Sequence, residues 1–410
     1  MTLPFEEAAA ARRAGPQALA AALRASRDDT LARFALFEQG LERLAVPQQD
    51  TLNPPLWELG HIGWFQEFWI GRNPLRFGGA GADPLAPRPP GLRPGADALY
   101  DSSRVAHATR WSLPLPEAEA TRADLAQQLE QTLAWLGRAD DSDDATYFFR
   151  LALLHEDMHH EAALYTAQSL GLAVADPRWQ PQALAAPQRE LAFAAGPWEL
   201  GGAEPGFAFD NERAGHCVDL PATCIDARVA TWAEYLPFVE AGGYEQPRWW
   251  SEAGAAWLAH QRETARERAP RYLRRAGRTW QQWRHGAWIE LDPRLPACHL
   301  SAHEAEAWCR WAGRRLPSEA EWERAALERG AEFDWGGVWE WTSSPFEPYP
   351  GFTPHPYRDY SAPWFGSRRV LRGASFMTQP RLRHARYRNF FMPGRNDVAA
   401  GFRSCRAGGA

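Results

Sequence analysis

The spacing of apolar and polar positions divides the chain into two halves with different periods. Residues 17–71 and 117–172 repeat their apolar positions every three to four residues, as long amphipathic helices do. A stretch rich in Pro and Gly, 72–116, interrupts them and reads as a loop. This pattern predicts a four-helix bundle over residues 1–175. Residues 176–190 contain three prolines and little periodicity, and read as a linker. From 191 to 410, short apolar runs alternate with Gly, Pro and Asn turns, and helices are predicted only for 232–241, 301–312 and 318–328. The fold class is therefore α+β, a helical bundle followed by a loop-rich mixed domain.

Two of the predicted helices carry histidines on apolar faces. In the run from Tyr147 to Glu161, helical spacing groups Phe148, Leu151, Ala152, His155, His159 and Ala162, with Glu156, Asp157, His160 and Glu161 at the side or back. Upstream, Asn53-Pro54-Pro55 reads as a helix start with Asn53 as the cap, and His61 shares a stripe with Trp57, Trp64, Phe65 and Phe68. A lone histidine on such a face is ordinarily a hydrogen-bonded core residue. Two of them at i and i+4 are costly to bury unpaired, and a divalent metal satisfies both. His61, His155 and His159 are thus a candidate three-histidine metal site. The string His155-Glu156-Asp157-Met158-His159 also fits the HExxH pattern of zinc peptidases, with Glu156 as general base. That alternative gives His61 no role, and Ala162 and Tyr165 stand where the metzincin form has glycine and histidine.

Composition narrows the partners. A net charge of −6 over 410 residues gives no electrostatic case for nucleic acid or an anionic membrane. No apolar run has the length of a signal-peptide core or a bilayer span, and a soluble cytoplasmic protein is expected. The five cysteines all lie in the second half without a CxxC pair, which suits a reduced compartment. Twenty-one tryptophans, mostly in apolar stripes, exceed what a core alone calls for, so some are expected to line a pocket.

Several strings in the second half occur in a characteristic order: Leu316-Pro317-Ser318-Glu319-Ala320-Glu321-Trp322-Glu323, which contains a capping box, then Val338-Trp339-Glu340-Trp341-Thr342-Ser343-Ser344, Leu371-Arg372-Gly373-Ala374-Ser375-Phe376 and Gly401-Phe402-Arg403. Together they resemble the formylglycine-generating-enzyme (sulfatase-modifying factor) domain, a C-type-lectin-like fold. Most of these residues are expected to hold that fold rather than do chemistry. The copper-binding cysteine pair of true formylglycine-generating enzymes is not apparent. The first half resembles a DinB-type bundle through Leu56-Trp57-Glu58-Leu59-Gly60-His61-Ile62-Gly63 and His155-Glu156-Asp157-Met158-His159-His160-Glu161.

A DinB bundle fused to such a domain resembles the EgtB-type family of iron-dependent enzymes of ergothioneine biosynthesis. The resemblance implies Fe(II) held by His61, His155 and His159, and O2-dependent attachment of a chalcogen to imidazole C2 of hercynine. It implies a tyrosine proton donor, for which Tyr357 is preferred over Tyr360. Substrate residues are expected in the stretch from Arg386 to Asp397, with Asn389, Phe390, Phe391 and Arg395 as candidates, together with Met158 and Arg110. Asn389 matches the family's asparagine at the hercynine site. Phe390 stands where actinobacterial members have tryptophan, so weaker cation–π contact with the trimethylammonium is retained. Phe391 replaces an aspartate that helps bind γ-glutamylcysteine, and Met158 replaces a glutamine. An ammonium group loses its counter-ion there unless Asp397 supplies one, which favours a neutral donor. The chain thereby resembles the SenA-type selenoneine synthases, which use a selenosugar; ergothioneine-type sulfoxide synthesis with cysteine or γ-glutamylcysteine is the alternative. Arg104 and Arg110 are candidates for a substrate carboxylate, with surface ion pairing as the ordinary role for each.

Overall fold

The structure is a computed structural model that describes residues 4–184, 187–202, 204–264 and 269–408. Helices α1 (Pro4–Arg13), α2 (Pro16–Gly40), α3 (Pro55–Gln66), α4 (Ala96–Tyr100), α5 (Ala118–Leu136) and α6 (Asp143–Leu170) make up the first half. The bundle is α2, α3, α5 and α6. Helix α1 leaves it to dock on the other domain, where the Arg12 guanidinium meets Glu212 and the Phe207 amide donates to the Arg12 carbonyl at 2.8 Å.

Helix α6 starts and stops by local chemistry. Ser142 caps its first turn by accepting from the Ala145 amide, Asp143 and Asp144 follow, and Gly171 ends it at φ 73°. Its back is buried as thoroughly as its front: Glu156 is 2 % exposed and Asp157 0 %. Amphipathic spacing had set these residues aside because it assumes one covered face, whereas α6 is covered by α2 behind and by the second domain beside it.

Helix α3 departs from expectation at its start. Pro54 occupies the cap position, and Asn53 does not cap. Its Nδ2 donates to Glu58 and its Oδ1 accepts from Arg110 at 2.8 Å, so charged partners outcompete the helix amides for this side chain. Gly60 and Gly63 let neighbours approach closely. A Cβ at Gly60 would lie 2.3 Å from the Tyr100 ring, and one at Gly63 would lie 2.1 Å from Gln128 Oε1. This packing brings α4 against α3 beside His61.

The second half holds α7 (Trp232–Glu240), α8 (Glu252–Thr264), α9 (Ala302–Trp311) and α10 (Glu319–Glu328). Three of these coincide with the predicted helices; α8 escaped notice because Trp257 and Leu258 are its only large apolar residues. The strands are β1 (Glu190–Phe193), β2 (Gly196–Leu200), β3 (His216–Leu220), β4 (Thr223–Asp226), β5 (Leu273–Ala276), β6 (Thr279–Arg284), β7 (Ala287–Glu290), β8 (Arg314–Arg315), β9 (Trp339–Pro345), β10 (Arg369–Arg372), β11 (Asn389–Phe391), β12 (Ala400–Gly401) and β13 (Cys405–Arg406). They form small sheets in the orders β1-β4-β13-β8, β11-β10-β9-β12, β2-β3 and β5-β6-β7.

The ordered strings of this half are held together by buried ion pairs. Glu340 accepts from Arg403 at 2.7 Å and from the Trp322 indole at 2.8 Å; Glu319 takes both arms of Arg388 at 2.8 and 2.9 Å; Glu323 pairs with Arg372. Ser318 and Glu321 form the capping box that opens α10. The chain contains no lysine, so every side-chain cation of fixed charge is an arginine, whose planar fork suits such two-point pairing. All five cysteines are free thiols. Among the described residues, no helix is long and apolar enough to cross a membrane.

Candidate metal centre

Three ring nitrogens converge where α3 meets α6. One ligand atom from each of His61, His155 and His159 lies within 4.8 Å of the others. His155 Nε2 and His159 Nε2 are 3.3 Å apart. Two of the rings are oriented from behind. The His61 Nδ1–H donates to the Tyr100 carbonyl at 2.8 Å, and the His159 Nδ1–H to Glu58, which leaves their Nε2 lone pairs directed inward. Phe65 stacks flat on His155 with centroids 3.5 Å apart, and Trp57 stacks on His61 at 4.9 Å.

Burial and the neighbouring His159 imidazole push His61 down to about 3, and the same causes hold His155 well below the usual histidine range. Burial pushes the Glu58 carboxyl up, but the charge and hydrogen bond of His159 outweigh it and hold the group at about 2. Converging neutral imidazoles facing one another across about 3–5 Å repel through their lone pairs unless a cation lies between them. The donor set of three neutral nitrogens fits a ferrous ion with coordination positions left open for ligands.

The remaining candidates fall at different distances from this centre. Tyr357 stands edge-on to His155, with ring centroids 6.1 Å apart, and against Phe65 at 5.0 Å. Burial and the nearby Asp359 and Asp101 push its phenol well above the usual range, so it carries its proton. Tyr360 is buried farther out, stacked on Phe209, and its hydroxyl donates to Tyr387 at 3.2 Å. Tyr387 in turn reaches Met158 Sδ at 3.3 Å. Phe390 has one face against Phe346 at 4.0 Å and lies edge-on to Tyr360. Asn389 turns its Oδ1 back onto the Phe390 amide at 2.9 Å.

Arg395 is not a free cation. It grips both oxygens of Asp397 at 2.6 and 2.7 Å and lies over the rings of Phe391 and Tyr165. Arg104 makes an exposed ion pair with Asp101. Arg110, by contrast, lies 3.8 Å over Trp57, which places it one ring away from His61, and its Nε is buried without a partner among the described residues.

The structure also corrects the peptidase alternative. Glu156 accepts from Arg27 at 2.8 and 3.2 Å and from Thr30 at 2.9 Å, on the side of α6 away from the histidines. A carboxylate held this way cannot serve as general base at the metal. His160 is buried against Trp179 and takes no part in the metal site.

A cleft of about 460 Å³ opens beside Tyr357. Trp64, Phe65, Phe68 and Trp69 line it together with Asp101, Ser102, Tyr357 and Asp359. Sequence reasoning missed Glu58 and the Tyr100 carbonyl, which orient the ligands. Glu58 had a signal, since it precedes His61 by three residues on the same helix. Tyr100 had none, because a backbone oxygen at the end of the short helix α4 leaves no mark in a sequence.

Residues 22–165 match the DinB superfamily, and residues 176–337 and 334–407 match the sulfatase-modifying factor enzyme 1-like domain. The chain is 34 % identical to hercynine oxygenase of Mycobacterium tuberculosis over 95 % of its own length and 98 % of that protein. It is 33 % identical to hercynine oxygenase of Mycolicibacterium smegmatis over 94 % and 98 %. Similarity to the formylglycine-generating enzyme of Thermomonospora curvata, 33 % identical, covers 39 % of this chain and 55 % of that one.

Proposed function

Because the chain belongs to the hercynine oxygenase family, which it matches along nearly its whole length, we propose that it is an Fe(II)- and O2-dependent enzyme that joins selenium from a selenosugar to imidazole C2 of hercynine. The observation that carries the choice of donor is the state of Asp397. The sequence left Asp397 open as a counter-ion for a donor ammonium, but both of its oxygens are taken by Arg395. Among the described residues Asp397 is thus already paired, and Phe391 and Met158 supply no charge in place of the aspartate and glutamine of other family members. A neutral donor loses nothing there.

The iron, held by His61, His155 and His159, would supply one-electron redox chemistry, relaying to O2 electrons that come from the two substrates. The overall change balances when the C2 hydrogen and the selenol hydrogen leave with one oxygen atom as water and the other oxygen stays on selenium. Tyr357, kept protonated at its hydroxyl, is placed to give a proton on the His155 side of the site. Arg110 would hold the hercynine carboxylate, Phe390 would face its trimethylammonium group, and Asn389 would contact the same substrate.

The test loads the enzyme with Fe(II) anaerobically, then admits O2 with hercynine, selenoglucose and γ-glutamylcysteine in competition, and identifies products by mass. A dominant selenium adduct is expected. A dominant sulfoxide from γ-glutamylcysteine would overturn the choice of donor, and no adduct from hercynine at all would overturn the reaction.

A further inference from the structure

Three carboxylates of α6 that point away from the metal, Glu156, Asp157 and Glu161, are engaged, and two of them reach the second domain. Asp157 accepts from Arg381 Nε and Nη2, both at 2.8 Å, and from Ser26 of α2 at 2.8 Å. Glu161 accepts from the Trp339 indole at 2.7 Å, Ser375 at 2.8 Å and Thr378 at 2.9 Å. A third link joins Gln379 to Asp29 of α2 at 2.9 Å. Apart from Trp339, the second-domain partners in these three links lie in 375–381, within the connection from β10 to β11.

That connection is a strap with fixed ends. It leaves β10 through Gly373 and Ala374, both left-handed at φ 96° and 65°, and Ala374 is 2 % exposed. It crosses the metal helix through two of these links and reaches α2 through the third, and Tyr387 then meets Met158 between the two ligands of α6. Two residues later it becomes β11, whose three residues Asn389, Phe390 and Phe391 are the proposed substrate contacts. The metal ligands and the substrate strand come from different domains, so their relative placement depends on what joins α6 to this strap. Dispersion contacts alone slide at small cost, whereas a buried two-point arginine–carboxylate pair and a carboxylate with three donors fix both position and rotation.

We propose that Arg381 and Glu161 are positioning residues that set the register of strand β11 against the three-histidine face of α6, Arg381 acting through Asp157. Neither touches the metal or the reacting atoms. The assignment rests on the reading of β11 as the substrate strand, but its main readouts do not. The experiment compares the parent with Arg381→Met, Arg381→Lys, the double variant Asp157→Asn/Arg381→Met and the milder Thr378→Val. It measures hydrogen exchange, Co(II) affinity by calorimetry, and steady-state kinetics with hercynine.

Arg381→Met is expected to bind one Co(II) with affinity within about twofold of the parent, while amide exchange over 387–391 rises about threefold or more and that over 57–66 stays unchanged. The KM for hercynine should rise about tenfold with a smaller change in kcat, because the displaced strand weakens substrate placement before chemistry. Arg381→Lys should fall between the two, and the double variant should lie closer to the parent than Arg381→Met, because no unpaired buried carboxylate remains. Unchanged exchange over 387–391 would overturn the proposal, as would a loss of Co(II) affinity parallel to the loss of strand protection. Thr378→Val supplies the same reading if Arg381→Met does not fold. If the parent itself fails to turn over hercynine, the proposed function falls, while exchange and Co(II) affinity still decide the role of the strap.

Discussion

The histidine face of α6 and the core of the second domain both bury polar side chains, and they satisfy them in opposite ways. In the second domain three buried glutamates meet their complements inside the protein: Glu340 with Arg403 and Trp322, Glu323 with Arg372, Glu319 with Arg388. At α3 and α6 the buried groups are three imidazoles whose outer nitrogens are in part engaged while their inner nitrogens face one another. A closed set of complements needs nothing further and holds a fold. A convergent set of like donors is incomplete without a cation, and that incompleteness marks a site.

The contrast is broken most severely at the ligands. His155→Ala should abolish binding of one Fe(II) or Co(II) per chain in calorimetry while the unfolding transition without metal shifts little. Breaking a closed pair should do the reverse. Arg403→Met leaves Glu340 charged and buried, and should lower the unfolding free energy by about 3–5 kcal/mol in urea titration with metal stoichiometry unchanged. A second change, Glu340→Gln, made on top of it should recover part of that loss.

Glu58→Gln sits between the two regimes. It keeps a hydrogen-bond acceptor behind His159 but removes the charge, and metal affinity should fall about 10- to 100-fold with little loss of fold stability. A fall in stability without one in affinity would place Glu58 with the structural carboxylates.

The smallest effect concerns Asp210, which accepts from Ser361 and from the His355 amide at the two ends of the loop bearing Tyr357. Burial pushes its carboxyl up to about 6, against the opposing hydrogen bonds from Ser361 and His355. A carboxyl raised on folding stabilises fully below its unfolded value near 4 and loses that contribution as pH rises through 6. Relative to Asp210→Asn, the parent should therefore lose about 2 kcal/mol between roughly pH 4 and pH 7, read from urea unfolding at the two pH values. An equal pH slope in both proteins would show that Asp210 is ionised throughout.

Much of this was legible before any coordinates. The i, i+4 spacing of His155 and His159 on an apolar stripe, with His61 on a second one, named the three nitrogens that the fold brings together, because helical periodicity is a local property. The ordered strings from Leu316 to Arg403 named the α+β domain. The HExxH reading of the same residues was equally legible, and only the partners of Glu156 removed it. The Asn53 cap failed because its side chain had an arginine partner far away in sequence, and a charge-assisted bond wins over a neutral one; the question left open at Asp397 was closed by Arg395 in the same way.

The sequence by itself determined the two domains, their class, and which residue types stand on which faces of each helix, since these follow from backbone periodicity and turn chemistry over a few residues. Tertiary structure decided which of the buried polar groups were complete. Whether Glu156 faces a metal or Arg27, whether Asp397 is free, and whether Arg110 lies on the surface or on Trp57 depend on partners far away in the chain or on the folding of a loop. Electrostatic pairing in a low-dielectric interior is set by distances of a few ångströms in space, and spacing along the chain does not fix those distances.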